Sequence, residues 1–463
     1  MKEPGHVAEE KKVFYAQYIA SGTLSLVMLV VGLANGWSSP YLAKLSLQES
    51  MDDIPKASDE QLTWLASLMN MGRIFGAVIG AIVQDTLGRK MSLCFAGLPL
   101  MCGWICSSVA ASIAWLYTAR ILWGLGMGMI WTTISLYLAE IADSEIRGSL
   151  VLWNITTQSI GQFLGVLLGP RLSVRTYGYV CMVPNGMFLL LFPFIPDSPY
   201  RYVMVGDMEK AEASLQWFRR QRNVKQDLME LQDYVNSSQV TLRDRLRELG
   251  KPKYLKSFGT MFLINISLFF GAFNVINNYM EIILSKSGVS LTPSDVVVGV
   301  GFFAIISGLA ATCLVDRLGR RFLMISSSLG MALFLGAMGL HFLLILELGH
   351  DAPTLTWLPC TCLLLYTASY SAGVGCIPST LVGELFSPSL KTIASLSYSG
   401  CAALFSSLSA GTFIPLLNLV GPVYLFWLYA TGTLLSAVFF YFTVPETMGK
   451  SLKDIQAEPE EKT

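Results

Sequence analysis

The chain has 463 residues, 53% of them hydrophobic and only 14% charged, and its 32 basic and 32 acidic side chains cancel. That excludes a soluble globular domain, in which about a quarter of residues are charged, and it leaves no basic face for nucleic acid. The nine cysteines (94, 102, 106, 181, 313, 360, 362, 376 and 401) fall almost wholly inside apolar runs and read as small apolar filler. His6, His341 and His350 form no ligand cluster, so neither a metal nor a cofactor is expected.

Twelve apolar runs approach the roughly 20 residues that a bilayer-spanning helix needs. They cover 17–39, 62–84, 91–111, 114–138, 149–170, 177–196, 256–284, 295–315, 322–347, 356–382, 392–416 and 421–444. The expected class is an all-α membrane protein. The expected order is a tail (1–16), a six-helix bundle (17–199), a polar linker (200–255), a second six-helix bundle (256–445) and a tail (446–463). With a cytoplasmic N-terminus, 25 of the 32 basic residues fall inside, five outside (Lys44, Lys56, Arg171, Arg175, Lys286) and two within spans (Arg73, Arg120). The positive-inside rule therefore puts both termini in the cytoplasm. The first run is long enough to span and stay, so no cleaved signal is expected.

In chain order, span one ends in Gly36-Trp37-Ser38-Ser39-Pro40. Trp37 reads either as an interfacial anchor or as a cavity wall. Span two carries Gly72, Gly76 and Gly80 at the four-residue spacing of a helix-packing ridge. Arg73, in the same span, must face the bundle interior or snorkel. At its end stands a charged motif, Asp85-Thr86-Leu87-Gly88-Arg89-Lys90, that returns half a chain later as Asp316-Arg317-Leu318-Gly319-Arg320-Arg321. A second pair recurs with it: Glu140 stands seven residues before Arg147, and Glu384 seven before Lys391. Duplication at this period implies two related halves. A loop with a breakable ion-pair network suits a two-state gate; the bland alternative is that the positive residues only enforce topology.

Span four has Arg120 ahead of Gly124, Gly126 and Gly128, and span five has a polar stripe with Gln158 and Gln162 on one face. Residues 200–255 show helical spacing at Ala211, Leu215, Phe218, Leu228, Leu231 and Val235, as two or three short amphipathic helices beneath the membrane. Span seven carries Asn274, Asn277 and Asn278. Buried amides need partners, supplied by a solute pathway or by interhelical bonds. Gly373-Val374-Gly375-Cys376-Ile377-Pro378 in span ten is a break that a hinge could use, or a static kink.

These residues together resemble the sugar porters of the major facilitator superfamily. The carrying features are the two Asp-x-x-Gly-Arg-Lys/Arg motifs, Glu140 with Arg147-Gly148, and Pro196-Asp197-Ser198-Pro199. Gly373-x-Gly375-x-Ile377-Pro378 with Glu384-Leu385-Phe386, and Pro445-Glu446-Thr447, complete the set. Gly36-Trp37-Ser38-Ser39-Pro40 looks most like the insect branch, which includes trehalose transporters. The resemblance implies twelve helices in two bundles, a cytoplasmic helical bundle and a central site for a small sugar or polyol. It also implies alternating access, with a latch of Asp85, Arg89, Lys90, Glu140, Arg147, Asp316, Arg320, Arg321, Glu384 and Lys391.

The family's paired glutamines of span seven fall on Leu268 and Phe269, its span-five glutamine on Ile155, its span-ten tryptophan on Ser379 and its span-eleven asparagine near Ser406; Asn274 is kept. Substitute solute contacts are expected from Asn277, Asn278, Gln158, Gln162, Ser379 and Trp37. Proton-linked members carry an aspartate in span one just after Gly-Tyr; here the sequence reads Gly36-Trp37-Ser38. The expectation is a monomeric plasma-membrane uniporter that is not an enzyme. A non-transporting nutrient sensor and a proton symporter are the alternatives.

Overall fold

The computed structural model describes residues 14–47, 54–143, 145–221, 223–238, 249–386 and 390–446. Among the described residues there is no strand. The first half holds α1 (Tyr15–Gly36), α2 (Ser38–Leu47), α3 (Asp59–Thr86), α4 (Arg89–Ser108), α5 (Ile113–Ile141), α6 (Arg147–Leu168) and α7 (Val174–Leu191). Three short helices follow: α8 (Pro199–Val205), α9 (Met208–Arg219) and α10 (Lys225–Ser238). The second half holds α11 (Pro252–Phe270), α12 (Phe273–Lys286), α13 (Pro293–Leu318), α14 (Arg320–Leu346), α15 (Trp357–Ala372), α16 (Ile377–Leu385) and α17 (Lys391–Thr443).

Ten helical segments among the described residues are long and apolar enough to cross a bilayer. The last, Ile393–Thr443, runs through a non-helical residue at Gly421, where φ is 80°. Helix α6 is not one of the ten, because Asn154, Thr156, Thr157, Gln158 and Gln162 dilute its apolar run.

Local chemistry sets where helices begin and break. Helix α3 starts on a capping box: Ser58 Oγ accepts from the Gln61 N–H and Gln61 Oε1 from the Ser58 N–H. Asp59 and Glu60 in its first turn complement the helix dipole. Span seven, expected as one helix over 256–284, is instead two, broken at Gly271-Ala272. The freed carbonyls are taken by hydroxyls far away in sequence: Phe269 by Ser409, Phe270 by Thr433 and Gly271 by Tyr366. Such partners make a break tolerable at membrane depth. Ala272 there has φ 56°, a left-handed conformation that costs an L-residue about 1–2 kcal/mol. Ala272→Gly is therefore expected to raise the melting temperature by the equivalent of about 1 kcal/mol; an unchanged or lower melting temperature would remove strain from the account. The break in span ten falls where the glycines and Pro378 put it, between Ala372 and Ile377.

Within the first half α1 packs on α6, and α3 and α4 on α5. The expected ridge on α3 is the contact: Cβ atoms at Gly72 and Gly76 would stand 2.5 and 2.1 Å from the carbonyl oxygens of Ile121 and Leu125 on α5. The halves meet through α3 on α17, α2 on α12 and α6 on α13. Hydrogen bonds across this seam among the described residues include Gln162–Asn277 (2.6 Å), Ser39–Glu281 N–H (3.1 Å), Ser407–Ser67 carbonyl (3.2 Å) and Asn418–Asp59 (3.0 Å). All four lie in the part of the bundle remote from the two charged motifs.

Candidate functional site

The two charged motifs fold into one arrangement twice. In the first half, Gly88 turns the chain at φ 101° and α4 begins at Arg89. Asp197, just past α7, caps that start: its Oδ1 accepts from the Lys90 N–H at 3.1 Å and from the Ser198 N–H at 2.7 Å. Burial pushes the Asp197 carboxyl up, while those N–H groups and the charges of Arg89 and Lys90 pull it back. Arg89 Nε pairs with Glu140 Oε1 at 3.0 Å, with both side chains largely buried. Lys90 Nζ donates to the Pro193 carbonyl at 2.6 Å. In the second half, Gly319 turns at φ 83° before α14, and Glu446 caps it, accepting from the Arg320 N–H at 3.0 Å and the Arg321 N–H at 3.1 Å. Arg320 Nη2 pairs with Glu384 Oε1 at 3.2 Å, and Arg321 donates to the Tyr441 carbonyl.

Each staple thus ties three helix ends of its own half: a turn glycine that admits the cap, a carboxylate on the new N-terminus, and an arginine to the end of a neighbouring helix. A Cβ on Gly88 would stand 2.4 Å from Asp197 Oδ2, and one on Gly319 would stand 2.7 Å from Glu446 Oε2. Asp197 and Glu446 were not among the expected latch residues. Their signal was the Pro-Asp and Pro-Glu that follow spans six and twelve at matching places in the repeat.

Two expected latch members stand elsewhere. Asp85 is exposed and forms no ion pair among the described residues. Arg147 reaches the Ala142 carbonyl at 3.5 Å rather than Glu140, which Arg89 occupies. The side chains of Asp316 and Lys391 lie outside the described residues.

The polar residues expected to meet solute are dispersed. Asn274 donates to Ser406 Oγ at 2.9 Å. Gln162 and Asn277 bond each other across the halves, one helix turn from Gln158, which is partly buried. Asn278 is buried at the start of α12. Ser379 is exposed on α16 and back-bonds to the Cys376 carbonyl. Trp37 is neither anchor nor cavity wall. It is fully buried, stacked on Tyr41 at 5.0 Å, with the Arg120 guanidinium 4.4 Å from its ring. Arg120 also donates to Ser38 Oγ at 3.0 Å, and no carboxylate pairs with it among the described residues. The linker docks on the first half through Arg219–Asp143 at 2.5 Å, and through Gln17, which bonds the Phe218 carbonyl and the Asp143 N–H.

A family profile described as "Sugar (and other) transporter" matches residues 24–458. The chain belongs to that family. Among its relatives, the facilitated trehalose transporter Tret1 of Bombyx mori is 28% identical over 457 residues, 96% of this chain and 87% of that protein. Tret1 of Apis mellifera ligustica is 27% identical, over 95% of this chain and 87% of that protein. Tret1 of Aedes aegypti is 27% identical over 96% of this chain, which spans 55% of that protein. The inward-open xylose transporter XylE from E. coli superposes with a TM-score of 0.76 at 20% identity, covering 95% of this chain and 99% of that one. This member of the sugar transporter family therefore has the major facilitator fold, and its relatives are transporters rather than enzymes. The staples join helix ends within each half, and Ser38 is the residue that accepts from Arg120 in the first half.

Proposed function

We propose that the protein is a facilitative uniporter of a small sugar such as trehalose or a hexose, embedded in the plasma membrane as a monomer and working by alternating access. Two rigid halves, residues 17–199 and 256–445, exchange contact between the two faces of the bilayer. The reading counts twelve spans: α6 is added to the ten apolar segments, and Ile393–Thr443 is taken as two across Gly421. The basic residues put both termini and the linker 200–255 in the cytoplasm. The observation that carries the reading is that both halves hold the same internal staple at one end, while every hydrogen bond across the seam named above lies towards the other end. Halves stapled internally and joined at one face are what a rocking carrier needs.

Arg89, Glu140, Arg320, Glu384, Asp197 and Glu446 keep each half rigid, and Gln162–Asn277 closes the remote face. Asn274 with Ser406, and Gln158, Asn278 and Ser379, are the proposed solute contacts. Counterflow of labelled trehalose, hexoses and polyols in proteoliposomes tests the reading; saturable, sodium-independent exchange is expected. Leu268 and Phe269, apolar where the family's amides stand, favour a sensor instead, and solute binding without any counterflow would select it.

Uniport rests on Ser38. A hydroxyl cannot carry a proton through the cycle, whereas a carboxylate in that place could titrate against Arg120. Flux is expected to be flat from mildly acidic to neutral pH in the wild type and to rise towards acid in Ser38→Asp. A wild-type flux that itself rises with acidity would replace uniport with proton coupling.

A further inference from the structure

Arg73 has no counterpart in the staples. It lies at the midpoint of the 28-residue helix α3, about 20 Å from either end at 1.5 Å per residue. That is farther than an arginine side chain can snorkel. Phe75, Ile79 and Ile82 are exposed and mark the outer face of α3; the helical period puts Arg73 on roughly the opposite side. It is partly exposed there, so its open surface belongs to the interior between the halves.

Its surroundings are neutral. Its Nη1 donates to Asn70 Oδ1 at 3.1 Å, and Tyr370 and Tyr398 of the second half come within electrostatic range. Among the described residues no carboxylate pairs with it. Arg120 is the instructive contrast: it is enclosed, with indole faces at 4.4 and 5.8 Å and Ser38 beneath it. Tyr370 is held in place by Phe273, whose ring is parallel to it at 3.7 Å. Phe273 begins the helix that follows the break in span seven, next to Asn274. Two turns towards the remote face, Ser67 of α3 is bonded by Ser407 of the other half, so Arg73 sits just below the point where the halves touch.

We propose that Arg73 binds an anionic group of the solute, so that the transported class is a sugar acid, a hexose-sized polyol carrying one carboxylate. This rests on the sugar-carrier reading and narrows it. A charge at the centre of a spanning helix is costly, and such residues mark solute paths. The guanidinium fork matches a carboxylate with two parallel hydrogen bonds. Charge recognition also supplies what apolar Leu268 and Phe269 withdraw from a neutral sugar.

The test uses full-length protein in proteoliposomes, with D-glucuronate and D-gluconate against D-glucose and trehalose. In the wild type the acids are expected to compete at least tenfold better than the neutral sugars, and their uptake to carry a current on a supported membrane. Arg73→Gln is expected to lose that preference at least tenfold while retaining neutral-sugar exchange, and Arg73→Lys to fall between. Thermal unfolding of each variant shows that it is folded. Exchange of glucose or trehalose with no competition and no current from the acids overturns the proposal and leaves the sugar carrier standing. Full acid transport by Arg73→Gln also overturns it. Folded wild type that neither binds nor moves any of the four overturns both readings.

Discussion

Replacing Arg89 with alanine is expected to destabilise the protein by about 3–5 kcal/mol and to cut turnover at least tenfold. Arg89 and Glu140 are joined at 3.0 Å with side chains only 9% and 13% exposed. Removing one partner of a buried pair leaves the other charge uncompensated, and that residue, rather than the lost attraction, dominates the cost. The arginine also reaches the Gln84 carbonyl and lies over the Tyr200 ring at 5.5 Å, so α3, α5 and α8 all lose an anchor. The double variant Arg89→Ala with Glu140→Ala is accordingly expected to be more stable than Arg89→Ala alone, because it no longer buries an unpaired carboxylate. Melting temperatures in detergent and counterflow rates on the same preparations measure both effects. If Arg89→Ala leaves melting and exchange unchanged, the staple does not hold the half together. The second-half counterpart, Arg320–Glu384 at 3.2 Å, is slightly more open at 15% and 16%, so its loss is expected to cost somewhat less.

What the sequence makes legible here follows from which interactions are local. The duplicated motif is legible because its turn glycine and its charges stand together in six consecutive residues and recur half a chain later. The break before Pro378 is legible because glycine and proline act on their own backbone. The break at Gly271-Ala272 carries no such mark, since the hydroxyls that stabilise it come from Tyr366, Ser409 and Thr433, on α15 and α17. The motifs holding Asp197 and Glu446 are visible in the sequence, but their capping role is not, because the Lys90 and Arg320 N–H groups that they accept from lie more than a hundred residues earlier. Trp37 misleads because an aromatic at a span end looks like an anchor. Only the fold reveals that α2 continues the chain past it and that Arg120 covers its face. Asp85 and Arg147 entered the expected latch through the resemblance, but Glu140 is paired with Arg89 and Arg147 turns to the Ala142 carbonyl.

The second large effect is expected from a single methyl group. Gly22 and Gly32 both lie in α1, and alanine is a better helix former than glycine by about 1 kcal/mol. Gly22→Ala is expected to be neutral or stabilising, because a Cβ there meets nothing within 4 Å. At Gly32 the same atom would stand 2.1 Å from the Gln158 carbonyl oxygen, 2.7 Å from the Gln162 nitrogen and 2.8 Å from the Gly161 Cα. All three are backbone, so no side chain can swing aside, and α1 and α6 must separate. Overpacking of a core costs about 1–3 kcal/mol even where side chains can adjust, and in lipid no hydrophobic force presses the helices back together. Gly32→Ala is therefore expected to lose more than 3 kcal/mol. The displaced helix is also the one that carries Gln162 to Asn277, so a folded fraction should show a weakened remote seam as well as a lower melting temperature. Cross-linking between cysteines placed on α6 and α12 would report the seam independently of stability. Equal melting temperatures for the two alanine variants would mean that α1 and α6 are not packed backbone to backbone, and the rigid-half account would lose its foundation in the first bundle.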